Sequence, residues 1–160
     1  MAVQAGDKVP ATNFKQMTAD GPADLSSEDL FSGKTVAFFC VPGAFTPTCS
    51  QQHLPGFIEN AAALNEKGVD AIACTAVNDV FVMNAWGKDQ NVGDAVMMLA
   101  DGDGDFARAM GLELDLTGRG LGKRAQRYSM IVRDGVIEQL NVEEAGAFEV
   151  SSAEHMLGQL

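Results

Sequence analysis

Positive charge is scarce in this chain: 11 lysines and arginines stand against 22 aspartates and glutamates, for a net charge of −11. Nucleic acid and anionic membrane surfaces are therefore poor partners, since binding either one draws on an excess of cations. Long apolar runs are missing too. No stretch approaches the roughly 20 residues of a bilayer span. The start, Met1-Ala2-Val3-Gln4-Ala5-Gly6-Asp7, has no basic segment leading into an apolar one, so no secretion signal is visible. Two histidines without paired cysteines make a poor metal-ligand set, and no metal is expected. Cysteine occurs three times, as Cys40, Cys49 and Cys74, an odd number in a chain of 160 residues that can build its own core without staples. A reducing cytosol with one or more functional thiols suits that count better than a secreted disulfide scaffold.

What is present is ordinary in bulk, 46% hydrophobic and 21% charged, and fits a single domain over residues 1–160. The informative part is local. Thr35-Val36-Ala37-Phe38-Phe39-Cys40-Val41 has no polar face and reads as a central strand covered on both sides. Pro42 and Gly43 stop it. Thr46 then suits an N-cap and Pro47 a first helical position, and the apolar face Leu54, Phe57, Ile58, Ala61 and Leu64 predicts an amphipathic helix ending near Lys67-Gly68. Cys49 falls in the first turn, among backbone N–H groups that lack intrahelical partners. Such a place suits an anion.

A nucleophilic sulfur must be a thiolate, and an ordinary cysteine with a pKa of ~8.5 is only a few per cent thiolate at neutral pH. Making the anion dominant takes roughly 3 to 4 kcal/mol of preferential stabilisation. A helix N-terminus supplies about 1 to 2 kcal/mol of that in a partly buried site. A hydroxyl within reach and one nearby guanidinium must provide the rest. Thr46 meets the first demand. For the second, five of the eleven basic residues, Arg119, Lys123, Arg124, Arg127 and Arg133, lie in one fifteen-residue stretch. Most of that stretch reads as a solvated loop. Arg127 differs, because it directly precedes a strand and is fixed by it.

The remaining elements follow in order. Ala11 to Met17 suits a short edge strand, Gly21-Pro22 a turn, and Ser26 or Ser27 the cap of a short helix through Leu30. Val69 to Val77 reads as a second strand, parallel to the first because a helix connects them. A helix from Asn78 or Asp79 carries Phe81, Val82, Ala85 and Trp86, and Val96 to Ala100 is a third strand. Asp101-Gly102-Asp103-Gly104-Asp105 lacks the glycine and glutamate of a calcium loop and is a turn leading into a helix. Thr117 to Arg124 resembles a phosphate loop in composition only and reads as a flexible loop. Asp134-Gly135 between Tyr128–Arg133 and Val136–Val142 predicts a hairpin, and Ser151 or Ser152 caps a last helix. The order suits a three-layer α/β domain whose central mixed sheet is flanked by helices, compatible with a thioredoxin-like fold.

The run Val41 to Ser50 with His53-Leu54-Pro55-Gly56-Phe57 contains the P-x-x-x-T-x-x-C arrangement of peroxiredoxins as Pro42, Thr46 and Cys49. Together with Val77-Asn78-Asp79, Ala85-Trp86-Gly87, Leu99-Ala100-Asp101-Gly102 and Arg127-Tyr128-Ser129-Met130, the chain closely resembles the type-II, or peroxiredoxin-5-like, subfamily over nearly its whole length. The resemblance implies a thioredoxin-like thiol peroxidase that reduces hydrogen peroxide and alkyl hydroperoxides without metal or bound cofactor. It implies Cys49 as the peroxidatic nucleophile and Thr46 as a bond to sulfur and peroxide. Pro42 then shields the sulfenate, Arg127 stabilises thiolate and transition state, and the N–H groups of Thr48 and Cys49 hold peroxide oxygen. It also implies a homodimer.

Cys74 stands where plant type-II members carry their second cysteine, which would make it a resolving residue; its place in an apolar strand favours a buried structural thiol. Cys40 reads as a small core residue. No cysteine lies near Glu149-Val150-Ser151, where animal members carry a resolving one, so glutathione with glutaredoxin, or thioredoxin, is the expected reductant. His53 suits a helix-surface or packing role better than a proton donor. Trp86 and Phe45 suit core, rim or interface. Two rival functions remain to be weighed: a thiol–disulfide oxidoreductase, disfavoured because no C-x-x-C includes Cys49, and a redox sensor or chaperone signalling through oxidised Cys49.

Overall fold

The apolar run marked by the sequence as a central strand is one: Thr35–Cys40 is buried at every position and paired along both edges. The computed structural model describes residues 2–160. In chain order it comprises β1 (Asn13–Thr18), β2 (Gly21–Ser26), α1 (Ser27–Phe31), β3 (Thr35–Cys40) and a π-helical turn (Cys49–His53). Then follow α2 (Leu54–Glu59), α3 (Ala61–Glu66), β4 (Ala71–Ala76), α4 (Val80–Asp89), β5 (Met97–Ala100) and α5 (Asp105–Met110). β6 (Glu113–Leu116), β7 (Gly122–Ala125), β8 (Tyr128–Arg133), β9 (Val136–Val142) and α6 (Ala153–Leu157) complete it.

Seven strands form one mixed sheet in the order β2-β1-β5-β4-β3-β8-β9. β3, β4 and β5 run parallel, while β1 and β8 flank that trio antiparallel. The alternation of β3 divides the interior. Ala37, Phe39 and Val41 point into one core with α2, α3, α4 and α6; Val36, Phe38 and Cys40 point into another with α1 and α5. This is why no polar face survives in the sequence of β3. No helix of the described residues is long and apolar enough to cross a membrane.

Four expectations need correction. β1 is not the edge: β2 pairs outside it, with Pro22 opposite Met17, and the turn is Ala19-Asp20 rather than Gly21-Pro22. An edge strand tolerates proline because one row of its donors meets solvent, so β2 carries no apolar signature. The stretch 117–124 is not all loop, since β6 and β7 form a hairpin in which Asp115 opposes Lys123. The helix after Cys49 is not continuous. It opens as a π-turn, with the Leu54 N–H donating to the Cys49 carbonyl, and pauses again at Asn60. Pro55 lacks the N–H for an i→i−4 bond and crowds the turn before it, which accords with a widened turn there. Phe81 lies on α4, as the sequence predicts, with its side chain 64% exposed. Elsewhere the turn chemistry acts as expected: Ser26, Asp79 and Ser152 cap α1, α4 and α6, and Asp134 and Gly135 both take positive φ in the β8–β9 hairpin.

Candidate active site

The strand β3 ends at Cys40, and the chain turns through Val41–Phe45 before entering helix at Pro47. Gly43 lets the Arg124 side chain come close, because a Cβ on it would stand 2.9 Å from Nη1 of Arg124 and 3.2 Å from Cγ2 of Thr46 and would displace that guanidinium. Arg124, on β7, donates from that Nη1 to the Pro42 carbonyl at 3.3 Å. The helix start leaves the N–H groups of Thr48 and Cys49 without i−4 partners. Ser50 accepts from the indole Nε1–H of the fully buried Trp86 at 3.0 Å, tying the turn to α4.

Arg127 reaches the sulfur from the residue before β8. Its Nη2–H donates to Sγ of Cys49 at 3.0 Å, and its Nη1–H to Nδ1 of His53 at 2.8 Å. The fork is pinned at both prongs. β8 pairs with β3 from Tyr128 opposite Cys40, so the sheet register itself brings an arginine 78 residues distant to the helix start.

His53 is not on the helix surface. It is fully buried, packed on Phe39, Phe57 and Phe148, and its Nε2–H donates to the Ser151 carbonyl at 2.9 Å. Burial, then the charge of Arg127, lowers its pKa to about 3, against the opposing pull of the Ser151 carbonyl. The ring is neutral at physiological pH and is an acceptor for Arg127, not an acid. Its place four residues after Cys49 on one helical turn is the only hint the sequence holds of this.

Thr46 differs from expectation. Its hydroxyl donates to the Gly43 carbonyl at 2.7 Å, so its one proton is not offered to the sulfur. What remains free is acceptor capacity toward an incoming O–H. Cys49 has no exposed surface in this conformation. Beside it in the chain and in the fold lies a cavity of about 150 Å³ lined by Pro42, Thr48, Gln126, Arg127, Glu143 and Ala147 among others, though not by Cys49 itself. A larger cleft of about 550 Å³ between β1, β5 and the end of α4 holds Gln16, Lys88, Asn91 and Met97, but no cysteine.

Cys74 lies mid-strand in β4 with no exposed surface, and burial, then neighbouring sulfurs, pushes its thiol well above the ordinary range. Cys40 is likewise buried and raised, chiefly by burial, on the other face of β3. All three thiols are free. Among the described residues no cluster of histidine, cysteine, aspartate and glutamate is arranged to hold a metal ion.

Residues 4–157 match the Redoxin family. Peroxiredoxin-2E-2, a chloroplastic protein of Oryza sativa subsp. japonica, is 50% identical over 163 residues, covering 99% of this chain and 72% of its own. The chain belongs to the peroxiredoxin family. A second peroxiredoxin, peroxiredoxin-2B of Arabidopsis thaliana, is 45% identical over 159 residues, with 99% of this chain and 98% of its own covered. Reduced Prx3 of Vibrio vulnificus, solved in complex with hydrogen peroxide, superimposes with a TM-score of 0.95 at 50% identity, covering 98% of each chain. The seven-stranded sheet flanked by helices is thus the thioredoxin-like fold of peroxiredoxins, and the protein is a thiol-dependent peroxidase.

Proposed function

We propose that Cys49 is the peroxidatic residue and that Arg127, Thr46, Pro42 and the N–H groups of Thr48 and Cys49 complete its site. The contact of 3.0 Å between the Arg127 guanidinium and the Cys49 sulfur carries this reading. A charge-assisted hydrogen bond of that kind favours thiolate over thiol. The thiolate attacks one oxygen of the hydroperoxide; the S–O bond forms as the O–O bond breaks. The electron pair leaves on the distal oxygen, which takes up a proton and departs as water or alcohol. Cys49 is left as sulfenic acid. Arg127 and the Thr48 and Cys49 amides meet the charge growing on oxygen, and the Thr46 oxygen accepts the peroxide O–H, which aligns the O–O bond with sulfur. Pro42 walls the cavity and keeps bulk water from the sulfenate.

Cys49→Ser abolishes peroxide consumption and keeps the circular dichroism of the native protein; Arg127→Ala slows sulfenate formation. An Arg127→Ala enzyme with an unchanged rate would refute the arginine's role.

The sulfenate is resolved by an external thiol, because Cys40 and Cys74 are buried and protonated. Glutathione with glutaredoxin is our reading of that reductant, with thioredoxin as the alternative arm. Peroxide turnover with each system separates them, and a thioredoxin-only enzyme would overturn the preference. Three free thiols suit a reducing compartment, and the cytosol is our reading of where the enzyme works. We also read the molecule as a homodimer, as the resemblance to the peroxiredoxin-5-like subfamily implies; Phe45 and Phe81, 52% and 64% exposed, are candidate contacts. Sedimentation equilibrium tests this; a monomer at micromolar concentration refutes it.

A further inference from the structure

Beyond the residues that surround the sulfur, one buried carboxylate stands at the start of a chain of contacts that ends on it. Glu143 follows β9 and is 7% exposed. Its N–H donates to the Arg127 carbonyl at 3.0 Å, so its backbone is anchored to the residue that holds Cys49. Its Oε2 accepts from the N–H groups of Glu149, Val150 and Ser151 at 2.8, 2.9 and 2.8 Å, and from the Ser151 hydroxyl at 2.6 Å. Four donors from three consecutive residues converge on one oxygen. Burial opposes the charge, but these bonds outweigh it and hold the carboxyl below its usual range, so the group is an anion when the enzyme works.

The segment tied down in this way contributes directly to the site. The Ser151 carbonyl orients His53, whose other nitrogen accepts from Arg127. Phe148 lies against His53 with ring centroids 5.0 Å apart and under the Arg127 guanidinium at 5.9 Å. Glu144, Ala145, Gly146 and Ala147 form a wall of the cavity beside Pro42 and Thr48. Within 144–148 the backbone bond from Ala147 to Glu144 is internal and fastens nothing to the body.

We propose that Glu143 is a positioning residue of the peroxidase reaction: its carboxylate latches residues 149–151, and through the Ser151 carbonyl and His53 it aims the Arg127 guanidinium at the Cys49 sulfur. The proposal rests on the role assigned above to Arg127. A carboxylate that only stapled a loop would affect stability and leave Arg127 alone. One that aims Arg127 has an effect that vanishes when Arg127 is absent. This difference is measurable, because groups acting through one another are non-additive.

The test measures the second-order rate of Cys49 oxidation by hydrogen peroxide in the wild-type protein, Glu143→Ala, Glu143→Gln, Arg127→Ala and the Arg127→Ala/Glu143→Ala double variant. Amide hydrogen exchange is followed at 149–151. Glu143→Ala slows oxidation about 10- to 100-fold, the scale of loss when a catalytic group is misplaced by about an ångström. In the Arg127→Ala background the same change costs less than about threefold more, as non-additivity requires. Glu143→Gln, which keeps an acceptor oxygen of equal reach, recovers part of the rate, and amides 149–151 lose protection in Glu143→Ala. Should Glu143→Ala fail to fold, Glu143→Gln decides: lost protection at 149–151 with a wild-type rate overturns the proposal. So does a rate within about twofold of wild type in Glu143→Ala, or losses that multiply in full in the double variant. If Arg127→Ala alone leaves the rate unchanged, the assignment of Arg127 falls first and this proposal with it.

Discussion

His53→Gln offers a quantitative check on the buried imidazole. Its pKa of about 3 in the folded protein compares with ~6.5 for an unfolded histidine. Between those values the unfolded chain binds a proton that the native state refuses, so stability rises with pH and is lost as pH falls from about 6.5 toward 3. At pH 5 the unfolded imidazole is ~97% charged and the native one almost wholly neutral, which amounts to a loss of roughly 2 kcal/mol between pH 7.5 and pH 5. Because the ring has no exposed surface, solvent screening does not erode the figure. Glutamine can donate to the Ser151 carbonyl and accept from Arg127 but does not titrate, so the variant lacks this share of the loss. Urea unfolding followed by far-ultraviolet circular dichroism at the two pH values measures it. The wild-type midpoint falls by about 1 M more than that of the variant, given a slope near 2 kcal/mol/M. Equal losses in both proteins would mean that the imidazole titrates as if in water, and the reasoning from burial and from Arg127 would be wrong.

Two further outcomes are expected. Thr46→Val keeps the shape of the side chain but removes the oxygen that accepts the peroxide O–H, and slows Cys49 oxidation about 10- to 100-fold, while Thr46→Ser stays within a few-fold; stopped-flow rates with hydrogen peroxide check both, and an unimpaired Thr46→Val would dismiss the acceptor role. Cys74→Ala turns over peroxide with an external thiol within about twofold of wild type, as a residue outside the chemistry should. Mass spectrometry of the oxidised wild-type protein finds no peptide crosslinking Cys49 to Cys74; a crosslink, with the variant stalling after one turnover, would reassign Cys74 as the resolving residue.

What could be read in advance and what could not divide along physical lines. β3 was legible because it is buried on both faces, and the β8–β9 hairpin because Asp134-Gly135 suits a turn with two positive φ values. β2 was not, because an edge strand needs no apolar face and Pro22 argues against one. The π-turn at Cys49–His53 leaves no periodicity signal in five residues. Arg127 could be singled out as an arginine fixed by a strand, but its distance to sulfur depends on the pairing of β8 with β3, which no local pattern encodes. Thr46 was found by type and spacing, yet the direction of its hydroxyl is set by the Gly43 carbonyl within a turn of irregular backbone. Glu143 carries no motif at all, and Ser151 stood out only as a candidate helix cap. Their joint contact arises only when the loop after β9 folds back on itself.

Trp86 is the only indole in the chain, and it donates to the hydroxyl of the residue next to Cys49. Its emission depends on that hydrogen bond and on the packing around it, and both are expected to shift if the adjacent sulfur gains an oxygen. The proposed cycle of Cys49 should therefore be readable from a built-in optical gauge, as a millisecond fluorescence trace without label or coupled assay.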